Sequence, residues 1–367
     1  MAEYPLNLLL GLMIVVIPTN RTIQFEYLEP LLDSGARFII VDDSEGSIHI
    51  DHPQFEVVTW QDRRRMLGKH EISIPKRNGA CRDFGFYIAW SSSDDDEIIV
   101  ALDDDCRIHN SHFAAHVEQA LSRDHRPKAI CEDTHLNVLD LYKGLPAGLY
   151  PRGYPYSARK QYRGCTFSNP VENTPAFSVG LWKGIFDINA IDKLNGPVYD
   201  HPDAALKHAS VVIPAGNLIS VCSMNMQFRR SLIPAVYQLP MHIDVLPGWV
   251  VDRYADIWGG FILKLLMDLR GDIMVAGEPM ITHLKEGDNQ RNIWQEHLGH
   301  LLNDEFLALL AQAAESIRPE AYLGMMAQLN DHFKRAAPQC SPLLKAYLDV
   351  LIPALDAWIA ILMQGGS

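Results

Sequence analysis

The sequence predicts an α/β fold: a mostly parallel sheet flanked by helices, with a helical C-terminal extension. Three observations predict it. Apolar runs of strand length recur at Leu12 to Ile17, Phe38 to Val41 and Glu97 to Leu102. Each stops on polar residues, namely Pro18-Thr19-Asn20-Arg21, Asp42-Asp43-Ser44 and Asp103-Asp104-Asp105. Between the first two runs, Phe25, Leu28, Leu31 and Leu32 recur at helical spacing and Gly35 closes the segment. Continuous apolar strands joined by helices are the pattern of βαβ units, whose sheets are covered on both faces. Open α/β sheets bind ligands at the C-terminal edge of their strands. The polar tips therefore mark the candidate site.

Composition sets the outer bounds. The 367 residues, 48% of them hydrophobic, can bury a sizeable core. A formal net charge of −13 excludes a general binder of nucleic acid or anionic membrane, because lysine and arginine carry affinity for phosphate backbones. Six cysteines lie far apart with no CxxC pair, which predicts free thiols in a reducing, cytoplasmic setting. The run Leu6 to Ile17 lacks the basic flank of a signal peptide, and no run reaches the length of a membrane span.

Further along, Val57 to Trp60 reads as a short strand and Arg63 to His70 as a solvated basic loop. A helix can run from Asn78-Gly79 to Trp90, and Asn110-Ser111 can cap another carrying Phe113, Val117 and Leu121. Residues 132 to 217, rich in Gly, Pro, Tyr and Asn, read as loops with short strands over a sheet edge. Leu218 to Phe228 restores order, Ala255 to Leu269 is an amphipathic helix, and Ile273 to Ala276 a last strand followed by Ile281 to Lys285. Ile293 to Met363 is helical by pattern and shows no recognisable chemistry. The division expected is a catalytic unit over 1–292 and a helical extension over 293–367, which can pack on that unit or make the interface of a homo-oligomer.

The chemistry is concentrated at the tips. Three adjacent carboxylates, Asp103, Asp104 and Asp105, repel one another unless a hard cation such as Mn²⁺ or Mg²⁺ neutralises them. Asp42 or Asp43 can accept hydrogen bonds from a uracil or ribose, and Arg77 or Arg82 can offer a planar fork to phosphate. Thr19 and Asn20 join them at the tip of the first strand.

In that order the features are similar to a GT-A nucleotide-sugar fold: Pro-Thr-Asn-Arg, Asp-Asp-Ser, Asn-Gly-x-x-Arg-Asp-x-Gly, then Asp-Asp-Asp. More narrowly, the chain resembles the UDP-arabinopyranose mutases, or reversibly glycosylated polypeptides. The resemblance rests on Cys81 to Phe86, Asp103 to Cys106, Arg152 to Arg159, Gly180-Leu181-Trp182, Cys222 to Asn225, Tyr254 to Gly259 and His283-Leu284-Lys285, and it covers roughly residues 10 to 300.

It implies ring contraction without redox chemistry: UDP leaves C1 of the sugar, the sugar opens and recloses, and UDP returns. It further implies that Arg152 is the arginine that becomes glycosylated, that Arg159 supports it, and that Asp256 is aimed at the sugar. Asp103, Asp105 and His283 would hold the metal, with Asp104 and Lys285 nearby. A guanidinium is a poor nucleophile at neutral pH. Arg152 is therefore either deprotonated by neighbouring carboxylates as it attacks or a phosphate binder. Two other functions remain in view: an inverting glycosyltransferase with Asp256 as general base, and a non-catalytic nucleotide-sugar-binding subunit.

Overall fold

The computed structural model describes residues 13–195, 200–284 and 287–365. Four parallel strands form its first half, the edge strand β3 only partly buried: β1 (Met13–Thr19), β2 (Arg37–Asp42), β3 (Phe55–Val58) and β4 (Ile98–Leu102), in the order β3-β2-β1-β4. A short β5 (Cys106–Ile108) leaves this array to pair with the far side of the sheet. The second half contains β6 (Phe177–Ile185), β7 (Ser210–Val212), β8 (Asn225–Arg229) and β9 (Met274–His283), extending the order as β4-β8-β6-β9-β7. β8 is antiparallel to both β4 and β6, which returns β6 and β9 to the direction of β1 to β4. The ends of β1, β2, β4, β6 and β9 consequently open on one edge.

Helices cover both faces: α1 (Trp60–Leu67), α2 (Asp83–Ser92), α3 (Phe113–Leu121) and α4 (Ala255–Arg270). Gly85 lets α2 sit directly on β1, since a Cβ there would lie 2.4 Å from Val16 Cγ1. The basic stretch expected as a solvated loop is instead α1 followed by a 3₁₀ turn (Gly68–Ser73). Thr59 starts α1 with a capping box to Asp62, and Arg63 turns inward, 1% exposed, to the Pro75 carbonyl at 3.2 Å. The capping signal outweighed the charge.

The region expected as loops with short strands holds a nine-residue strand, β6, at the centre of the second half. Its apolar alternation is interrupted by Gly180, whose missing Cβ is replaced by the Asn225 side chain, and by a register shift before Trp182. Likewise the two segments expected near Ile273 and Ile281 are one strand, β9.

The C-terminal third forms α5 (Asn289–Ala314), α6 (Tyr322–Ala336) and α7 (Pro342–Gly365). Contrary to the reading of the sequence, α7 is long and apolar enough to cross a membrane, with mean hydropathy 1.7 in its most apolar window. Its large side chains are spent inside the protein instead. Trp358 stacks on Tyr237 at 5.0 Å and donates to the Pro234 carbonyl at 3.1 Å, while Tyr347 donates to the Pro240 carbonyl at 3.1 Å. Undocking such a helix would forfeit roughly 1.5–3 kcal/mol per large side chain.

Candidate functional site

The shared strand edge frames a cavity of about 470 Å³, within the range of small-molecule sites. Its outer wall is acidic. Thr19, at the end of β1, places its hydroxyl 2.6 Å from Asp104 Oδ2, and Arg21 pairs with Asp104 and, at 2.8 Å, with Asp105. Arg82 is 2% exposed; it pairs with Asp103 and donates to the Ser223 carbonyl at 2.9 Å. Burial and the neighbouring Asp103 push the Asp105 carboxyl above its ordinary value, against the pull of His283 and Arg21. Three carboxylates facing two guanidiniums leave a net negative rim.

The residues expected to hold a metal offer apt donor atoms, though among the described residues they do not form a set drawn within 4.8 Å of one another as Asp187, Cys222 and Asp256 do. Asp103 and Asp105 offer hard oxygens. His283, the last residue of β9, has Nδ1 2.8 Å from the Ile185 carbonyl, which can only accept. A neutral ring in this position would carry its proton on Nδ1 and leave Nε2 unprotonated, the usual arrangement of a metal-binding imidazole.

At the cavity floor lies a second, more deeply buried cluster. Arg152 is 7% exposed. Its Nε donates to Asp187, 3.0 Å from both carboxylate oxygens; Nη2 donates to Asp256 at 3.0 and 3.2 Å; Nη1 donates to the Arg253 carbonyl. Gly153 makes this approach feasible: at φ +81° its Cβ would be 2.3 Å from Ile257 Cγ2, so only glycine lets the loop press against the start of α4. Asp256 sits in the first turn of α4, where the helix dipole favours an acid. Burial would raise the Asp187 carboxyl, but the charge and hydrogen bonds of Arg152 hold it down at about 2. Burial would equally lower the Arg152 guanidinium; Asp187 and Asp256 outweigh it and hold the group well above its ordinary value. Asp187, Cys222 and Asp256 bring ligand-type atoms within 4.8 Å of one another. Arg152 answers one of the two carboxylate charges, so the cluster as a whole stays negative.

With this geometry in view, the comparison with known proteins is decisive. A profile of the family described as "Reversibly glycosylated polypeptide" matches residues 10–363. The chain belongs to that family. Among its relatives, "UDP-arabinopyranose mutase 1" of Arabidopsis thaliana is 28% identical over 350 residues, covering 94% of this chain and 91% of the relative. "Probable UDP-arabinopyranose mutase 1" of Pisum sativum is 28% identical over 351 residues, covering 94% and 89%. "UDP-arabinopyranose mutase 3" of Arabidopsis thaliana is 30% identical over 297 residues, covering 79% and 75%.

This member of the reversibly glycosylated polypeptide family gathers most, not all, of the residues singled out in its sequence. Thr19, Asn20, Asp43, Arg77, Arg82, Asp103, Asp104, Asp105, Arg152, Asp256 and His283 line the cavity. Asp43 is buried, which raises its carboxyl, and it accepts from Trp60 Nε1 at 2.7 Å. Arg77 is an exposed rim residue in the left-handed region, φ 60°, paired with Glu45 at 2.8 Å. Asp42 stands outside the lining: its Oδ1 accepts from the Ser44 N–H at 2.8 Å and shapes the turn after β2.

Arg159 also stands outside. It is sandwiched between Tyr156 and Tyr150, 4.0 and 4.6 Å from the ring centres, and forks onto Asp192 at 3.0 and 2.7 Å. Lys285 lies outside the described residues. The sequence reading missed Asp187, Lys193, Asp252, Arg253, Asn292 and Gln295, all in the lining. Asp187 follows the same rule as the other acids, a carboxylate just past a strand end, but β6 was not recognisable as a strand. Asn292 and Gln295 belong to α5, in a third of the chain without a chemical motif.

Proposed function

We propose that the protein is a UDP-sugar mutase that interconverts the pyranose and furanose forms of a UDP-linked pentose, the activity named for its relatives, without redox chemistry. The observation that carries this reading is Arg152, buried at the cavity floor between Asp187 and Asp256 and opposite the acidic wall of Asp103 to Asp105. The nucleotide would lie between Thr19, Asn20 and Asp43. Asp103, Asp105 and His283 would hold Mn²⁺ or Mg²⁺, which when bound supplies Lewis-acid stabilisation of the leaving diphosphate.

The chain's own residues do the rest. Arg152 keeps its charge through the reaction because two carboxylates face it. Three of the five N–H groups of a guanidinium are engaged by Asp187, Asp256 and the Arg253 carbonyl, and the remainder can hold an anion. Such a group fits a role in gripping UDP while its bond to C1 is broken and remade, and it fits poorly as an attacking nucleophile. Arg82, fully charged and backed by Asp103, sits where it can share the phosphate. Six free thiols support a reducing compartment such as the cytoplasm.

The test is to incubate purified protein with UDP-arabinopyranose and Mn²⁺, with an EDTA control, and to separate the nucleotide sugars by chromatography. A metal-dependent product of unchanged mass and furanose retention is expected. Acceptor-dependent release of UDP with no isomer would identify an inverting transferase instead, a reading disfavoured here because both oxygens of Asp256 face Arg152. Binding of UDP without any turnover would identify a non-catalytic subunit.

A further inference from the structure

Behind the Arg152 clamp lies a residue from the part of the chain whose sequence carried no chemistry. Glu296, on α5, is 1% exposed. Its Oε1 accepts from Arg253 Nε at 3.0 Å, and its Oε2 accepts from the Ala190 N–H at 2.8 Å. A carboxylate so deeply buried is costly unless fully paired. Arg253 and Ala190 belong to walls of the clamp, while the third neighbour, His300 one turn along α5, has Nε2 3.6 Å from Oε2. Arg253 holds a left-handed backbone, φ 60°, unusual for a side chain of its size, and its carbonyl accepts from Arg152. Ala190 follows Asp187 by three residues and is preceded by Asn189, whose side chain accepts from the Gly153 N–H at 3.0 Å. The loop at 252–256 and the loop at 187–190 are far apart in sequence, and one side chain from α5 joins them from behind.

We infer that Glu296 is a positioning residue for the active site: it sets the separation of Asp187 and Asp256 and thereby the direction in which Arg152 faces the substrate. The C-terminal helices are then part of the catalytic machinery. The inference rests on the mutase reading for its effect on turnover, and on the geometry alone for its effect on binding.

A double-mutant cycle on the full-length protein tests it. UDP-arabinopyranose binding is measured by calorimetry with Mn²⁺ for wild type, Glu296→Gln, Arg152→Lys and the double variant, with Glu296→Asp as a second, charge-retaining probe and circular dichroism to confirm folding. Groups acting through one another give non-additive effects. Glu296→Gln is expected to weaken binding about ten-fold in the wild-type background and to have almost no effect beside Arg152→Lys; in turnover it lowers kcat more than it raises KM. Glu296→Asp, too short to reach both partners, should fall between. Effects that multiply independently, or a Glu296→Gln protein that binds and turns over as wild type, would overturn the inference. A wild-type protein that binds but never isomerises would sink the mutase reading alone, leaving Glu296 to be decided by the binding cycle.

Discussion

Two charged clusters share this cavity, each with one carboxylate more than its guanidiniums, and they differ in exposure. The outer one, Asp103 to Asp105 with Arg21 and Arg82, is partly open to solvent, the Asp103 side chain being 32% exposed. The inner one, Arg152 between Asp187 and Asp256, has side chains of 8–13% exposure and each carboxylate paired. The more exposed cluster has room to rearrange: the Arg21 side chain is 33% exposed and can move aside, whereas Arg82 is buried. The inner cluster, packed on every side by protein, has less of that freedom.

The largest effect should come from breaking the inner cluster. Arg152→Ala leaves two carboxylates buried and unpaired. It should destabilise the protein by roughly 3–5 kcal/mol in urea unfolding and lower turnover by about a thousand-fold, the rate equivalent of roughly 4 kcal/mol. Next, Asp103→Asn with Asp105→Asn should remove about 100-fold or more of the metal-stimulated rate, since a Lewis acid contributes several kcal/mol. Its cost in urea unfolding should be smaller than that of Arg152→Ala: the buried Arg82 loses the Asp103 carboxylate but keeps the Ser223 carbonyl, and repulsion among the three adjacent carboxylates is relieved; a Mn²⁺ titration of turnover checks the first point. Equal loss of stability in both variants would erase the distinction between the clusters.

The acid limb of stability sharpens it further. A carboxyl held at about 2, against an unfolded value near 3.9, stabilises the folded state fully above that unfolded value. Its contribution, about 2–3 kcal/mol, is lost as pH falls from about 4 through 2. Asp187→Asn should flatten that part of the urea-stability profile. Arg159→Ala should act more weakly and at a distance, lowering turnover about ten-fold through the loss of its Asp192 fork and tyrosine sandwich, each worth on the order of 1 kcal/mol. Smallest of all, Arg77→Ala at the exposed rim should raise KM by no more than a few-fold, as expected for a solvent-screened pair worth about 0–1 kcal/mol.

Much of the outer cluster was legible in the sequence because it is local. Three strands with unbroken apolar runs, each followed at once by its functional residues, announce both the sheet and its ligand edge; Thr19, Asp43 and Asp103 to Asp105 needed no tertiary information to be placed together. Asp42, adjacent to Asp43 and chemically the same, shows the limit of that reading. Which of two neighbouring acids faces the cavity depends on one residue of strand alternation and on the turn that Ser44 closes.

The sequence by itself determined the fold class, the edge at which the cavity lies and, through the motifs that contain them, the choice of Arg152 and Asp256 as candidates, both of which line that cavity. Only the tertiary structure decided what surrounds Arg152. Asp187 comes from the end of a strand whose pattern is broken by Gly180 and a register shift, and Gln295 and Glu296 from a helix that reads as ordinary scaffold. Periodicity reports which face of an element is buried. It does not report which distant element buries it, and the pairing of a charge is set by that second partner.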